Sequence, residues 1–215
     1  MKKGLVLALA MVLAVCIGIG GTLAYLFVET GSVVNTFEYG DINIELWEND
    51  YVLSSNSLDT SKKVTSEADY KMVPGNAMPK NPTVTVLKDS EACWLFVKIE
   101  KSTNFDNFME YTVATGWTQG DGTNVPANVY YREVPAMTAN TEFEVLDGNK
   151  VHVKEGVLKT ALNAIYTDKN GELSEGENAA LPKLTFTAYA VQKDNVTSVA
   201  DAWELVGTEG VPANS

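Results

Sequence analysis

The chain has little of what most enzymes and stabilised secreted domains use. Two cysteines occur in 215 residues, Cys16 and Cys93, and Cys16 lies in an N-terminal apolar run. If that run is removed, Cys93 alone remains, no intramolecular disulfide can form, and the domain must be held by its core. His152 is the only histidine, which excludes the His-rich zinc sites, and no His-Glu-x-x-His segment is present. There is no Gly-x-Ser-x-Gly elbow and no phosphate-binding loop. Residues 168–179 are acidic and contain glycine, but Gly171 is the fourth residue of Asp168-Lys169-Asn170-Gly171-Glu172, whereas a calcium loop needs glycine at its sixth. This stretch reads as a solvated loop. No catalytic residue, metal ligand or cofactor site is expected.

Positive charge is also scarce. The chain carries 16 basic and 28 acidic residues, a net charge of −12. Removing residues 1–24 takes away two lysines and no acids, which leaves −14. Nucleic-acid binding needs Lys and Arg against phosphate, so a nucleic-acid partner is excluded. Excess acid serves chiefly as a solubility device, and weak surface binding of divalent cations is the smaller alternative.

The most informative stretch is the first 48 residues. Lys2 and Lys3 make a basic start, residues 5–19 are apolar or small, and Thr22-Leu23-Ala24 is a small-residue exit. This reads as a secretory signal peptide over residues 1–24, cut after Ala24, with Tyr25 as the alternative last signal residue. Val15 is too bulky for the position before a lipoprotein cysteine, so Cys16 reads as an ordinary residue of the apolar run. A retained anchor competes, because residues 4–28 carry no charge and are long enough to span a bilayer. Gly18, Gly20 and Gly21 weigh against it. In the preferred reading the protein is secreted, into the extracellular matrix or onto the cell surface, and meets the membrane only through the uncleaved signal.

The rest reads as one all-β domain over residues 41–215, large enough to bury a core. Ile42, Ile44 and Leu46 alternate with Asn43, Glu45 and Trp47, as in a half-buried strand. Strands are expected at residues 83–87, after Pro82, and at 93–101, 111–117 and 128–134. A hairpin is expected with arms 141–146 and 150–154 around Asp147-Gly148-Asn149. Residues 184–191 place Leu184, Phe186, Ala188 and Ala190 on one side. Residues 50–65 are polar and Ser-rich and read as a loop. Ser198 to Asp201 has capping-box spacing ahead of a short helix with Val199, Ala202, Trp203 and Val206 on its apolar face. Residues 66–70 fit one helical turn, and the pattern of 157–164 does not decide between helix and strand. Seven or eight short strands suggest a two-sheet sandwich with jelly-roll or Greek-key connections and one or two short helices, preceded by an N-terminal signal helix. Cys93 is expected to be a buried inert thiol, His152 an outward strand residue, and Asn195-Val196-Thr197 a chance sequon.

Three stretches resemble one family. Gly21-Thr22-Leu23-Ala24-Tyr25, then Val34-Asn35-Thr36-Phe37-x-x-Gly40-Asp41-Ile42-x-Ile44-x-Leu46-x-Glu48, resembles the TasA and camelysin-like biofilm matrix proteins of Gram-positive bacteria. Those are processed by a SipW-type signal peptidase. Val73-Pro74-Gly75 with Pro79-Lys80-Asn81-Pro82-Thr83-Val84 resembles the segment before the family's central strand. Phe186-Thr187-Ala188-Tyr189-Ala190-Val191-Gln192 with Ala202-Trp203 resembles its C-terminal strand and helix. The resemblance runs in order over about residues 18–206 and is loose over 104–177. It implies a jelly-roll domain that polymerises head to tail into extracellular fibres. In such fibres the N-terminal extension freed by signal removal completes the sheet of the next copy. The partners implied are further copies of the chain, the SipW-type peptidase and other matrix components.

The residues make that assembly plausible. Leu26, Val28, Val33, Val34 and Phe37 are apolar residues within the extension, residues 25–40, and an unpaired apolar segment seeks a sheet edge. Gly31 and Ser32 interrupt its alternation, and an intramolecular edge strand or a plain tail is the alternative. Two other functions stay open: an accessory fibre subunit, or a monomeric surface-binding module with Trp117, Tyr130 and Tyr131 as anchors. Camelysin-like proteins have been filed among metallopeptidases, but a chain with one histidine has no recognisable means to activate a water.

Overall fold

A computed structural model describes residues 41–52, 54–65, 72–166 and 181–209. The chain divides after Tyr39, and every described residue belongs to the unit Gly40–Ser215. The expected signal peptide, its expected cleavage positions Ala24 and Tyr25, the extension, and the turn and loop expected at 66–70 and 168–179 lie outside the described residues.

Eleven strands are described: β1 (Ile44–Val52), β2 (Ser57–Val64), β3 (Ala77–Pro79), β4 (Thr83–Val86), β5 (Cys93–Lys101), β6 (Met109–Glu110), β7 (Thr118–Gln119), β8 (Val129–Val134), β9 (Thr141–Glu144), β10 (Lys150–Val153) and β11 (Leu184–Gln192). Three helices accompany them: α1 (Phe105–Phe108), α2 (Lys159–Tyr166) and α3 (Val199–Glu209). The strands form sheets ordered β2-β1-β4-β9, β11-β5-β8-β7 and β3-β10-β6, with every pairing antiparallel.

The architecture is an all-β sandwich. Val84 and Val86 from one four-stranded sheet meet Cys93, Leu95, Val97, Ile99, Val134 and Ala188 from the other in a single core. β5 is buried on both faces. Its odd-numbered residues enter that core, while Trp94 and Phe96 point the other way into a second cluster with Val129 and Ala202. This explains why β5 is an almost unbroken apolar run rather than an alternating one.

Helix α3 covers that second face. Ser198 accepts a hydrogen bond at Oγ from the Asp201 backbone N–H (3.1 Å), so the expected cap forms. The Trp203 ring lies 5.3 Å from that of Phe96 and 5.8 Å from that of Tyr189, and Trp94 donates from Nε1 to the Val196 carbonyl (3.1 Å).

Four expectations are corrected. First, the sandwich is accompanied by a third sheet, and the described residues alone hold three helices rather than one or two. The third sheet and α1 enclose a separate core of Met78, Phe105, Met109, Leu146, Val151 and Val153. Second, the polar segment 50–65 is not a loop but contains the end of β1 and all of β2. Third, residues 111–117 are not a strand, and only Val113 forms an isolated bridge, with Leu146. Fourth, Asp147–Asn149 is a 3-10 turn that passes the chain between sheets: β9 pairs with β4, and β10 with β3 and β6. Gly148 (φ 60°) and Asn149 (φ 52°) both take left-handed backbone there, which redirects the chain instead of folding it back on itself.

Candidate functional site

Among the described residues no three His, Cys, Asp or Glu residues stand together as metal ligands would. His152 sits on β10 opposite Ala77 and Glu110. Cys93 is fully buried, and that burial pushes its thiol up to about 12, far from a reactive thiolate.

The aromatic anchors considered for a ligand are engaged in packing. Trp117 donates from Nε1 to the Glu144 carbonyl (2.8 Å), and its ring lies 5.5 Å from the Arg132 guanidinium. The same guanidinium stands 4.2 Å from the Phe143 ring. Tyr130 and Tyr131 are on β8 rather than on loops, Tyr130 against the sandwich core and Tyr131 against Trp94 and Phe96.

Sheet edges are the remaining candidates, because an edge exposes backbone N–H and C=O groups that another strand can pair with. Among the described residues the four-stranded sheets end at β2, β9, β7 and β11. β7 has two residues and β9 has four, with Glu142 and Glu144 among them. β2 carries Asp59, Lys62 and Lys63, and its pairing with β1 breaks register between Asn49 and Asp50. β11 differs from all three. Its nine residues, Leu-Thr-Phe-Thr-Ala-Tyr-Ala-Val-Gln, hold no charge and no proline, and its register with β5 is unbroken from Leu184 to Gln192.

The hydrogen bonds show which groups remain. Ser102 donates from its backbone to the Lys183 carbonyl (3.0 Å), and the Lys193 backbone donates to the Ala92 carbonyl (2.8 Å). In an antiparallel ladder this alternation commits the odd-numbered residues of β11 to β5. Leu184, Phe186, Ala188, Ala190 and Gln192 therefore direct their N–H and C=O groups away from the sheet.

Their side chains complete the site. Leu184, Phe186 and Ala190 pack half-buried on the sandwich core, as do Ile42, Ile44 and Leu46 at the start of β1. β1 lies against β11, and its pairing with β2 begins only at Glu48. One seam of the sandwich is thus lined by half-buried apolar side chains beside the outer backbone of β11, along which no other described strand pairs.

The sequence reading places Leu184, Phe186, Ala188 and Ala190 on one face, and the structure turns them to the sandwich core. Leu26, Val28, Val33, Val34 and Phe37, which it assigns to assembly, lie outside the described residues. The reading did not mark β11 as a sheet edge. The available signal was that β11 is the longest alternating stretch without charge. Neither family models, nor curated proteins, nor solved structures give a match to this chain.

Proposed function

We propose that this chain is an exported, non-enzymatic structural subunit that polymerises head to tail into extracellular matrix fibres. The extension at residues 25–40 of one copy adds as a strand to β11 of the next. One observation carries the reading: β11 is a long, regular, uncharged edge whose outward backbone groups have no strand beside them among the described residues. Head-to-tail addition does not close on itself and yields filaments.

The energetics favour a sensitive equilibrium. Each ladder hydrogen bond is worth about 1 kcal/mol net, and apolar burial adds roughly 25 cal/mol per Å². Ordering the incoming strand costs about 1–2 kcal/mol per residue. Leu26, Val28, Val33, Val34 and Phe37 supply the apolar area in this account. The wider setting, a SipW-type signal peptidase upstream and other matrix components alongside, belongs to the same proposal. A monomeric binding module is the weaker reading, since Trp117 and Tyr130 are occupied inside the fold.

The decisive comparison is the mature protein with and without residues 25–37, followed by light scattering and electron microscopy. The intact chain should form filaments and the truncated one should stay a folded monomer. Equal polymerisation by both would rule out donor-strand assembly.

A further inference from the structure

The chain is strongly acidic, yet residues 181–193 hold no acidic residue and two lysines, Lys183 and Lys193. These lysines stand at the two ends of β11, one residue outside each terminus. Lys183 is exposed and forms no ion pair among the described residues, and its backbone N–H is held by Ser102 Oγ (2.8 Å). Lys193 pairs with Glu133, and its ammonium lies 5.4 Å from the Trp94 ring. Lys98 and Lys101 on the same sheet are likewise paired, with Glu100 (2.8 Å) and Asp106 (2.9 Å), so Lys183 is the lysine of this sheet that forms no ion pair among the described residues.

The extension at residues 25–40 has the opposite character. It contains Glu29 and Glu38 and no basic residue. An extended strand rises about 3.3 Å per residue, so Lys183 and Lys193 are roughly 33 Å apart and Glu29 and Glu38 are roughly 30 Å apart when extended. The two charge pairs span nearly the same length, and because residues ten apart share a strand face while residues nine apart do not, Glu29 and Glu38 reach both lysines when the extension shifts by one residue at its Gly31-Ser32 interruption. We infer that Lys183 and Lys193 form a two-point electrostatic clamp that selects an acidic strand, the extension of a second copy, for the β11 edge and limits its sliding.

The same lysines discourage the most obvious competitor. An uncharged nine-residue edge can pair with itself in a second copy. In the antiparallel register centred on Ala188, Leu184 would face Gln192, and Lys183 would then face Lys193 at both ends. Like charges directly opposite are destabilising. Symmetric self-pairing would close the edge into a dimer and end growth, so the flanking lysines keep the edge available for head-to-tail addition.

This inference rests on the donor-strand reading and adds which residues choose the strand. The test uses mature full-length protein at low ionic strength. Lys183→Glu with Lys193→Glu should slow fibre elongation about tenfold, the combined effect of two modest ion pairs turned into repulsions. A control with the same net charge, Lys88→Glu with Lys159→Glu, should stay within about twofold of wild type. Adding Glu29→Lys and Glu38→Lys to the clamp variant should restore elongation. Thermal unfolding of each variant checks the fold. Wild-type elongation in the clamp variant, or slowed elongation that the reversed extension does not restore, overturns the clamp and leaves the donor-strand reading standing. Fibres from protein lacking residues 25–37, or no fibres from the wild type, overturn that reading and the clamp with it.

Discussion

β2 and β11 both end a four-stranded sheet, with eight and nine residues, and they are opposite in what governs pairing. β2 is polar on both faces, charged, and out of register with its neighbour at one point. Lys63 lies 3.6 Å from the Trp47 ring and pairs with Glu142 at 3.0 Å, so its charge closes over the outer face of the sheet. β11 is apolar on its inner face, in register with β5 throughout and, among the described residues, without a strand along its outer backbone. A protein that had to keep every edge from pairing would treat both alike. The contrast separates a guarded edge from an unguarded one, which in the proposed assembly receives a strand of matching chemistry.

The comparison breaks most sharply with proline, which removes one backbone donor. Ala190 points its N–H outward, so Ala190→Pro should leave the β5 ladder intact, cost less than about 1 kcal/mol and stop fibre growth. Thr187 gives its N–H to β5. Thr187→Pro removes that bond and leaves a carbonyl unsatisfied, and it should lower stability by roughly 3 kcal/mol. Chemical denaturation and light scattering on the pair decide the matter. Filaments from Ala190→Pro at the wild-type rate would show that the outward backbone of β11 plays no part in assembly.

The guarded edge can be opened in turn. Lys62→Val with Lys63→Val removes the charges from β2 and leaves an eight-residue strand with stronger β propensity. Stability should fall by about 1 kcal/mol, because the cover over Trp47 and the exposed pair with Glu142 are lost. A second, irregular mode of association should appear, seen as scattering that persists when residues 25–37 are deleted. A double variant that stays as well behaved as its parent would mean that the bulge alone protects β2.

How much of this was legible in the sequence follows from where each strand's partners lie. β5 and β11 were read correctly because burial in the sandwich imposes a pattern on their residues, and the helix at 199–209 was read from its cap and apolar face. β2 was hidden because a solvated edge strand imposes no alternation, and Ser-Leu-Asp-Thr-Ser-Lys-Lys-Val looks like a loop. Residues 111–117 misled for the opposite reason. Tyr111, Val113 and Trp117 serve the core from an irregular segment, helped by Gly116 at φ 91°. The hairpin expected around Gly148 failed because a turn signal is local, while the choice of sheet depends on distant strands. The edge position of β11 among the described residues is likewise a tertiary fact: nine residues can show that a strand forms, not which strands lie beside it.

The smallest effect concerns a residue that both readings treat alike. Cys93 begins β5 opposite Val134 on β8 and Gln192 on β11, at the very end of the open strand. Burial raises its thiol from 9.0 to about 12. A thiol whose proton is held more tightly in the folded chain contributes stability that is present below the unfolded value. That contribution is lost as pH rises through the folded one. Between about pH 9 and 12 stability should therefore decline more steeply in the wild type than in Cys93→Ala, whose own cost is a constant offset from the lost packing. A thiol reagent at pH 8 should label the native protein only on the timescale of unfolding and the denatured protein at once. Fibres should resist labelling at least as well as the monomer, because a strand added beside β11 further holds the end of the sheet closed. Rapid labelling of the native monomer would show that the β5 end of the sandwich opens locally, and the contrast between a firm core and an open edge would have to be redrawn there.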